Sequence, residues 1–293
     1  MKVVFVLTYN EQDLWIKNYP IDTFKNTFSN YKFYIIDNGN QPGIKDWCNE
    51  TGSYYYACDY NIGSTGGYNF IFRVADLLQL DRAVLTQGDV EIKNTVALDI
   101  LFEDQWKENQ IPFYPQVDKS LWDMHNGGQV YNLGQLFSFN PNFLLFENFI
   151  NDENYVVTHY DDADLARRMR DSGRVDLINV LLDRFPEKDC LPDESGSHVV
   201  EDLYAIHHYS SLKQERSTNH QEWLEYNADY HMDKWKGDGM PAEEPWDRKE
   251  MLNNYRPHSH RWVALGYLPY PVEHEVNRFW KQHLSDSGIH PIR

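Results

Sequence analysis

Short apolar runs recur through the first ninety residues, and each stops at polar or glycine-rich sequence. Val3–Thr8 is apolar up to its threonine, 32–36 (KFYII) ends at Asp37-Asn38-Gly39-Asn40, 54–58 leads into a glycine-rich turn, and 82–86 closes on Gln87-Gly88. Uninterrupted runs of this length suit strands buried on both faces. Between them lie a weak helical period over 12–28 and a helical stretch through 70–80. The alternation predicts an α/β fold with a mainly parallel, doubly wound sheet.

Residues 112–160 mix Pro, Gly, Asn and aromatics, with short apolar runs at 135–139 and 143–149, and read as strands and loops around a pocket. Residues 162–173 carry a helix period. Beyond about residue 211 the chain turns polar and rich in Trp and His, with helical stretches at 221–235 and 272–284. That tail reads as a helical appendage to the α/β core.

Composition narrows the picture. At 293 residues with 41% apolar content, the chain can bury a sizeable core. Aromatics at 15%, including 20 Tyr and 9 Trp, suit stacking surfaces as well as core. A net charge of −18 argues against gripping nucleic acid through broad charge neutralisation. Cys48, Cys58 and Cys190 lack metal spacing and form no even disulfide framework, which fits a reducing compartment. The start, MKVVFVLTYNE, is too short and too soon polar for a signal peptide or a membrane span, so the expected location is a cytosol, bacterial or that of a virus-infected host.

Several clusters can carry chemistry. Asp89-Val90-Glu91 follows a buried strand, where a carboxylate pair can hold Mg²⁺ or Mn²⁺ against a diphosphate; two chance acids in a solvated loop are the plain alternative. The segment 61–69 (NIGSTGGYN) joins a strand to a helix, and its glycines can bring backbone N–H groups to an anion. It has neither P-loop nor dinucleotide spacing, and a tight connection is the competing reading. Asp37 can accept from a nucleobase N–H or a ribose hydroxyl, and Asp-Asn-Gly is also strong turn chemistry. In 160–170 (YDDADLARRMR), Asp161 or Asp162 suits a helix cap, Leu165 and Met169 share a face, and Gly173 suits the end. Capping does not need three neighbouring acids, and a carboxylate at a helix start can act as general base. Arg167 and Arg168 read as surface ion-pairing residues. His207-His208 can complete a metal site begun by Asp89, or simply sit hydrogen-bonded at a surface.

Taken in order, these pieces resemble the inverting GT-A glycosyltransferases of family 2, in their rhamnosyl and galactofuranosyl transferase branches. The resemblance spans about residues 1–240. It rests on 3–11 (VVFVLTYNE) as the opening strand and turn, 35–40 (IIDNGN) as the base-binding segment, and 61–69 as the Asn-x-Gly-x-x-Gly-Gly loop. To these it adds 160–173 as the catalytic segment and 227–239 (NADYHMDKWKGDG) as the late Tyr-x-x-x-Lys-Trp-Gly signature. The resemblance implies a GT-A-like, Rossmann-like core with Asp162 as catalytic base. Donor binding falls to Thr8, Tyr9, Asn10, Asp37, Asn61, Gly63, Gly66, Gly67, Asn69, Gln87 and Gly88. Asp89 becomes the metal ligand, with Glu91 and His207 or His208; His207 is favoured by the His-x-x-Ser spacing to Ser210. Tyr160, Asp161 and Asp164 face the acceptor. The departure is Gln87-Gly88-Asp89, where the family usually shows Asp-Asp-Asp.

The activity so implied is sugar transfer with inversion from a nucleotide-sugar, UDP-linked by family weight, assisted by Mn²⁺ or Mg²⁺. The acceptor is a carbohydrate, a lipid-linked glycan or a modified nucleic-acid base. Residues 1–115 would form the nucleotide-sugar-binding half, 116–215 the acceptor-binding half of the same domain, and 216–293 the helical extension. A nucleotidyltransferase and an inactive glycan-binding or scaffold protein are the rivals. The first wants a basic triphosphate loop, which 61–69 lacks; the second is encouraged by Gln87.

Overall fold

A computed structural model describes residues 1–59, 61–114, 136–152, 161–184, 197–200, 204–208, 227, 234 and 272–285. The large sheet comprises β1 (Val3–Thr8), β2 (Lys32–Asp37), β3 (Tyr54–Ala57), β4 (Ala83–Gln87), β6 (Gln110–Tyr114), β7 (Leu136–Phe139) and β8 (Asp176–Asn179). Their order is β3-β2-β1-β4-β7-β6-β8. β1 runs parallel to β2 and β4, β2 to β3, and β6 to β8, while β7 is antiparallel to both neighbours. β5 (Val90–Ile92), β9 (Ser197–Val200) and β10 (Tyr204–His208) form a second, antiparallel sheet with β10 in the middle. The chain thus has the mainly parallel α/β core expected from its alternation.

The helices are α1 (Gln12–Asn18), α2 (Ile21–Thr27), α3 (Pro42–Thr51), α4 (Gly63–Leu77), α5 (Val96–Leu101), α6 (Pro141–Phe146), α7 (Asp161–Ser172), α8 (Val180–Arg184) and α9 (Val272–His283). They cover both faces of the sheet. Val3, Phe5 and Leu7 of β1 join one apolar cluster with residues of α4, α6, α7 and α9; Val4 and Val6 join another with α1, α2, α3 and α5. A strand covered on both sides needs apolar side chains at every position, which is why β1 shows no alternation.

Several elements differ from the sequence expectation. The single period over 12–28 is two helices, because Pro20 cannot continue α1 and instead precedes the first residue of α2. α3 was not anticipated, although Pro42 at its start and Gly52 at φ 76° past its end are ordinary helix punctuation. The run at 143–149 is partly helical: Asn140 caps α6 by accepting from Phe143 N at 2.8 Å. α4 begins at Gly63, so Gly66 and Gly67 lie inside the helix rather than in a loop.

α9 matches the helix expected at 272–284, yet it is no loose appendage. Val272, Val276 and Phe279 enter the same core as α4. Buried Glu275 accepts from Tyr56 Oη at 2.5 Å and from Asp59 N at 3.2 Å, while Arg278 donates to Ala57 O. The expected boundaries at 115/116 and 215/216, the helix at 221–235 apart from Asn227 and Lys234, and Cys190 lie outside the described residues. Cys48 and Cys58 are both buried free thiols; burial pushes the Cys48 thiol up to about 12. No helix among the described residues is long and apolar enough to cross a membrane.

The glycines of α4 let it lie close on the sheet. A Cβ at Gly67 would stand 2.6 Å from both Leu7 Cδ atoms. Gly67→Ala should therefore destabilise the fold by up to about 2 kcal/mol, since overpacking costs roughly 1–3 kcal/mol and the Ala gains only about 1 in helix propensity. Denaturant midpoints check this, and the double variant with Leu7→Ala should lose less than the sum of the two.

Candidate functional site

The connections β1–α1–α2–β2 and β2–α3–β3 build the sheet in one direction, and α4 then returns the chain across the other face to place β4 on β1's free side. The strand order reverses between β1 and β4. In open α/β sheets, ligands bind beyond the carboxyl ends at such a switch point. Here that edge carries Thr8–Glu11 from β1, Asp37–Gln41 from β2 and Gln87–Asp89 from β4. Thr8 is level with Asp37, Leu7 with Gln87, and Gly88 N donates to Leu7 O at 2.8 Å. Asp37 and Gly88 are two strand spacings apart, about 10 Å.

Asp37 is fully buried and organises the β2–α3 loop. Its Oδ1 accepts from Gly39 N at 2.9 Å and Gln41 Nε2 at 3.0 Å; its Oδ2 accepts from Gln41 N at 2.5 Å and Tyr55 Oη at 2.8 Å. Those bonds fill the acceptor capacity of a carboxylate, so Asp37 shapes the edge more than it offers a free oxygen. Burial and the Asp37 carboxylate push the Tyr55 hydroxyl pKa up. Tyr9 is half exposed, and its ring lies against Gly39, where a Cβ would come within 3.3 Å. Asn10 turns the chain away with φ 61°.

Asn38, which the sequence showed only as part of the turn after β2, staples the next loop. Its Nδ2 donates to Asn61 Oδ1 at 2.9 Å and Gly63 O at 3.1 Å, and its Oδ1 accepts from Ile62 N at 2.9 Å. Asn61 Oδ1 also accepts from Gly63 N at 2.9 Å. Asn69 has a different duty from donor contact. It is buried, and its amide pairs with Asn151 N at 2.7 Å and Asn151 O at 2.9 Å. Gln87 Nε2 donates to Tyr68 Oη at 2.6 Å, tying the end of β4 to α4.

Gly88 explains the departure from an all-acid triplet. A Cβ there would stand 2.7 Å from Thr8 Oγ1 and 3.2 Å from Glu11 Oε2. Glu11 was also missed: its Oε2 accepts from Thr8 Oγ1 at 3.0 Å and from Tyr9 N, so its carboxylate lies over the backbone of residue 88. Thr8-x-x-Glu11 ahead of a helix was the signal available for it.

Asp89 is buried in the turn from β4 to β5. β5 then leaves the large sheet and pairs with β10, setting His207 opposite Glu91 and His208 opposite Val90. Backbone register thus brings together the metal candidates Asp89, Glu91 and His207 from segments more than a hundred residues apart in sequence; the histidine side chains lie outside the described part. Glu91 also pairs with Lys93 at 2.9 Å. Carboxylate oxygens together with an imidazole are a donor set that suits a Mn²⁺-like ion. Residues 8–12, 37–41, 59–67 and 87–91 contain no Lys or Arg of their own, and among the described residues Lys93 and Arg278 reach Glu91 and Asp59 from outside them.

A second group, Asp59, His274 and Glu275, brings possible ligand atoms within 4.8 Å of one another. Arg278 lies among them, 2.8 Å from Asp59 and 2.9 Å from Glu275, and already offsets their charge.

α7 starts at Asp161 and Asp162, whose side chains, like all of Tyr160, lie outside the described part. Leu165 and Met169 are buried as expected, and Gly173 ends the helix at φ 64°. Asp164 is a correction. It is wholly buried and cannot face an acceptor, because Lys234 Nζ stands 2.7 Å from its Oδ1 and Arg168 Nε 2.8 Å from its Oδ2. Arg168 is accordingly a buried partner, and Arg167 pairs at i,i+4 with Asp171 at 3.7 Å, although its side chain is largely buried rather than at the surface. Burial opposes Asp164 ionisation, but Lys234 and Arg168 outweigh it and hold the carboxyl below its ordinary value. Its ionisation thus adds stability above the usual carboxylate range and gives it up as pH falls below that range.

No family model matches the chain, and no curated protein matches it. Among solved structures it is similar to S. aureus TarS 1-349 in complex with UDP, at 12% identity and TM-score 0.46 over 61% of this chain and 58% of that one. It is similar to the galactosyltransferase LgtC in complex with donor and acceptor sugar analogs, at 12% and 0.42 over 85% and 100%. The mannosyltransferase PcManGT from Pyrobaculum calidifontis, in complex with GDP-Man and Mn²⁺, is similar at 12% and 0.41 over 97% and 87%. The match to UDP-bound TarS thus spans less than two thirds of that chain. At such low identity nothing about substrate or chemistry passes from those proteins to this one.

The Asp37 hub gives a graded test. Tyr55→Phe removes one of its donors and should cost about 1 kcal/mol, whereas Asp37→Ala strands several buried donors and should cost at least about 2. Thermal melts of the two variants check the order.

Proposed function

We propose that this chain is a glycosyltransferase that moves a sugar from a nucleotide-sugar, UDP-linked, to an acceptor hydroxyl with inversion at the anomeric carbon. The observation that carries this reading is the convergence at one switch-point edge of a half-exposed aromatic at Tyr9, an oxygen-rich row from Thr8 to Asp89, and strand β10 with its paired histidines. The segment carrying Asp162 is tied to the same place, because α7 is bonded to the 150–152 stretch and that stretch to Asn69 of α4.

Tyr9 offers a face on which a base can stack, worth about 1–3 kcal/mol, with the Asp37-ordered loop beneath it. Gly63 and the first turn of α4 lie beside the nucleotide. Asp89, with Glu91 and His207, would hold the cation, which when bound offsets charge on the leaving diphosphate. Such a cation would add positive charge that segments 8–12, 37–41, 59–67 and 87–91 do not carry themselves. Asp162 accepts the acceptor's hydroxyl proton as its oxygen bonds to the anomeric carbon. The bond to the diphosphate breaks, and the nucleoside diphosphate departs with the electron pair. Carbohydrate, lipid-linked glycan and modified nucleic-acid base are all acceptors with a suitable hydroxyl; the acidic chain favours the first two.

A panel of nucleotide sugars with and without Mn²⁺, read as thermal shift and as donor hydrolysis, tests the reading; UDP-sugars with Mn²⁺ should give the largest shift. Asp162→Asn should fold, bind UDP and lose transfer by roughly 10²–10⁴-fold. Asp89→Ala should lose the Mn²⁺-dependent part of UDP binding. A protein that no nucleotide sugar stabilises would refute the reading, and one that binds UDP-sugars without turnover would favour a glycan-binding or scaffold role.

A further inference from the structure

We propose that the buried set Asp152, Lys234, Asp164 and Arg168 positions the start of α7, and with it Asp162, against the donor-side helix α4; this rests on the glycosyltransferase reading of Asp162. Lys234 Nζ stands 2.7 Å from Asp152 Oδ2 and 2.7 Å from Asp164 Oδ1. Arg168 Nε stands 2.8 Å from Asp164 Oδ2, and its Nη2 donates to Ile150 O at 2.7 Å. Side-chain exposure is 0% for Lys234 and Asp164, 2% for Asp152 and 6% for Arg168. The set is neutral, two carboxylates against two cations.

Burying such charges is costly, and well-packed apolar residues often serve stability equally well. What the charges add is a single arrangement. Arg168 holds Asp164 along its own helix at i,i+4, whereas Lys234 bridges Asp164 to Asp152 across chain segments. Asp152 follows Asn151, whose backbone is bonded on both sides to the Asn69 amide in the second turn of α4. The path runs from α7 through Lys234 and residues 151–152 to the helix that begins at Gly63. Asp162 lies two residues before Asp164 in the same turn, so moving one moves the other. A misplacement of about 1 Å at a reacting group can cost 10²-fold in rate. Lys234 and Asp164 are positioning residues and touch no substrate.

The test is Lys234→Met/Asp152→Asn, which removes one charge of each sign and leaves the Asp164–Arg168 pair balanced. The double variant should stay folded, bind UDP with Mn²⁺ and keep its donor KM, while kcat falls about tenfold or more. Wild-type kcat in the folded double variant overturns the proposal, as does a fall in kcat that only tracks lost UDP binding and melting temperature. Should the double variant unfold, Asp152→Asn decides: it keeps Lys234 on Asp164 and should lower kcat at unchanged KM, and wild-type kcat there overturns the proposal. A wild type without transfer, or an active Asp162→Asn, overturns the glycosyltransferase reading and this proposal with it; wild-type kcat in the double variant overturns this proposal alone.

Discussion

The close approach of α4 to β1 is the contact on which the rest of the molecule depends. Gly67 has no side chain because Leu7 occupies the space one would need. Lying that close, α4 carries the chain back over β1 and delivers β4 to its far side. The reversal opens a crevice at the carboxyl ends of β1 and β4, and every donor candidate that remains plausible in the structure sits around it. A helix held farther from the sheet would break the Tyr68–Gln87 bond and pull Asn69 from Asn151. One steric fact thereby sets the edge, the loop before α4 and the anchoring of α7.

Polar chemistry at that edge divides into groups that build and groups left to act. Asp37, Asn38 and Asn61 spend their hydrogen bonds on one another's loops. Asp164 spends its charge on Lys234 and Arg168. Spent groups give the site rigidity, which is what a metal ligand and a general base need from their surroundings. On the proposed reading, Tyr9 and the region of Asp89, Glu91 and His207 would form the working side of the crevice. The glycine at 88 follows from Thr8 and Glu11 occupying its flank, so the departure from three acids is a packing consequence in this chain.

β1 to β4 and β7 were legible because strands covered on two faces read as plain apolar runs, whereas the proline in β6 and the polar, half-buried β8 hid those two strands. α4 was read as starting late, because five residues with three glycines look like a loop until tertiary packing is known to require them. α3 was overlooked although Pro42, Gly52 and the buried set Ile44, Trp47 and Cys48 spell it out. Asp164 could not be understood from its neighbours, since Lys234 and Asp152 reach it from 70 and 12 residues away in the chain. The meeting of Glu91 with His207 is likewise a matter of strand register. Motif order singled out the segments; three-dimensional partners show which of their side chains are spent on the scaffold.

A Mn²⁺ and UDP soak read by anomalous scattering tests the central claim most directly. The account predicts a peak about 2.0–2.6 Å from an Asp89 carboxylate oxygen, with the base against Tyr9 and Gly39. A metal bound instead among Asp59, His274 and Glu275, or a nucleotide bound away from the β1–β4 edge, would contradict it.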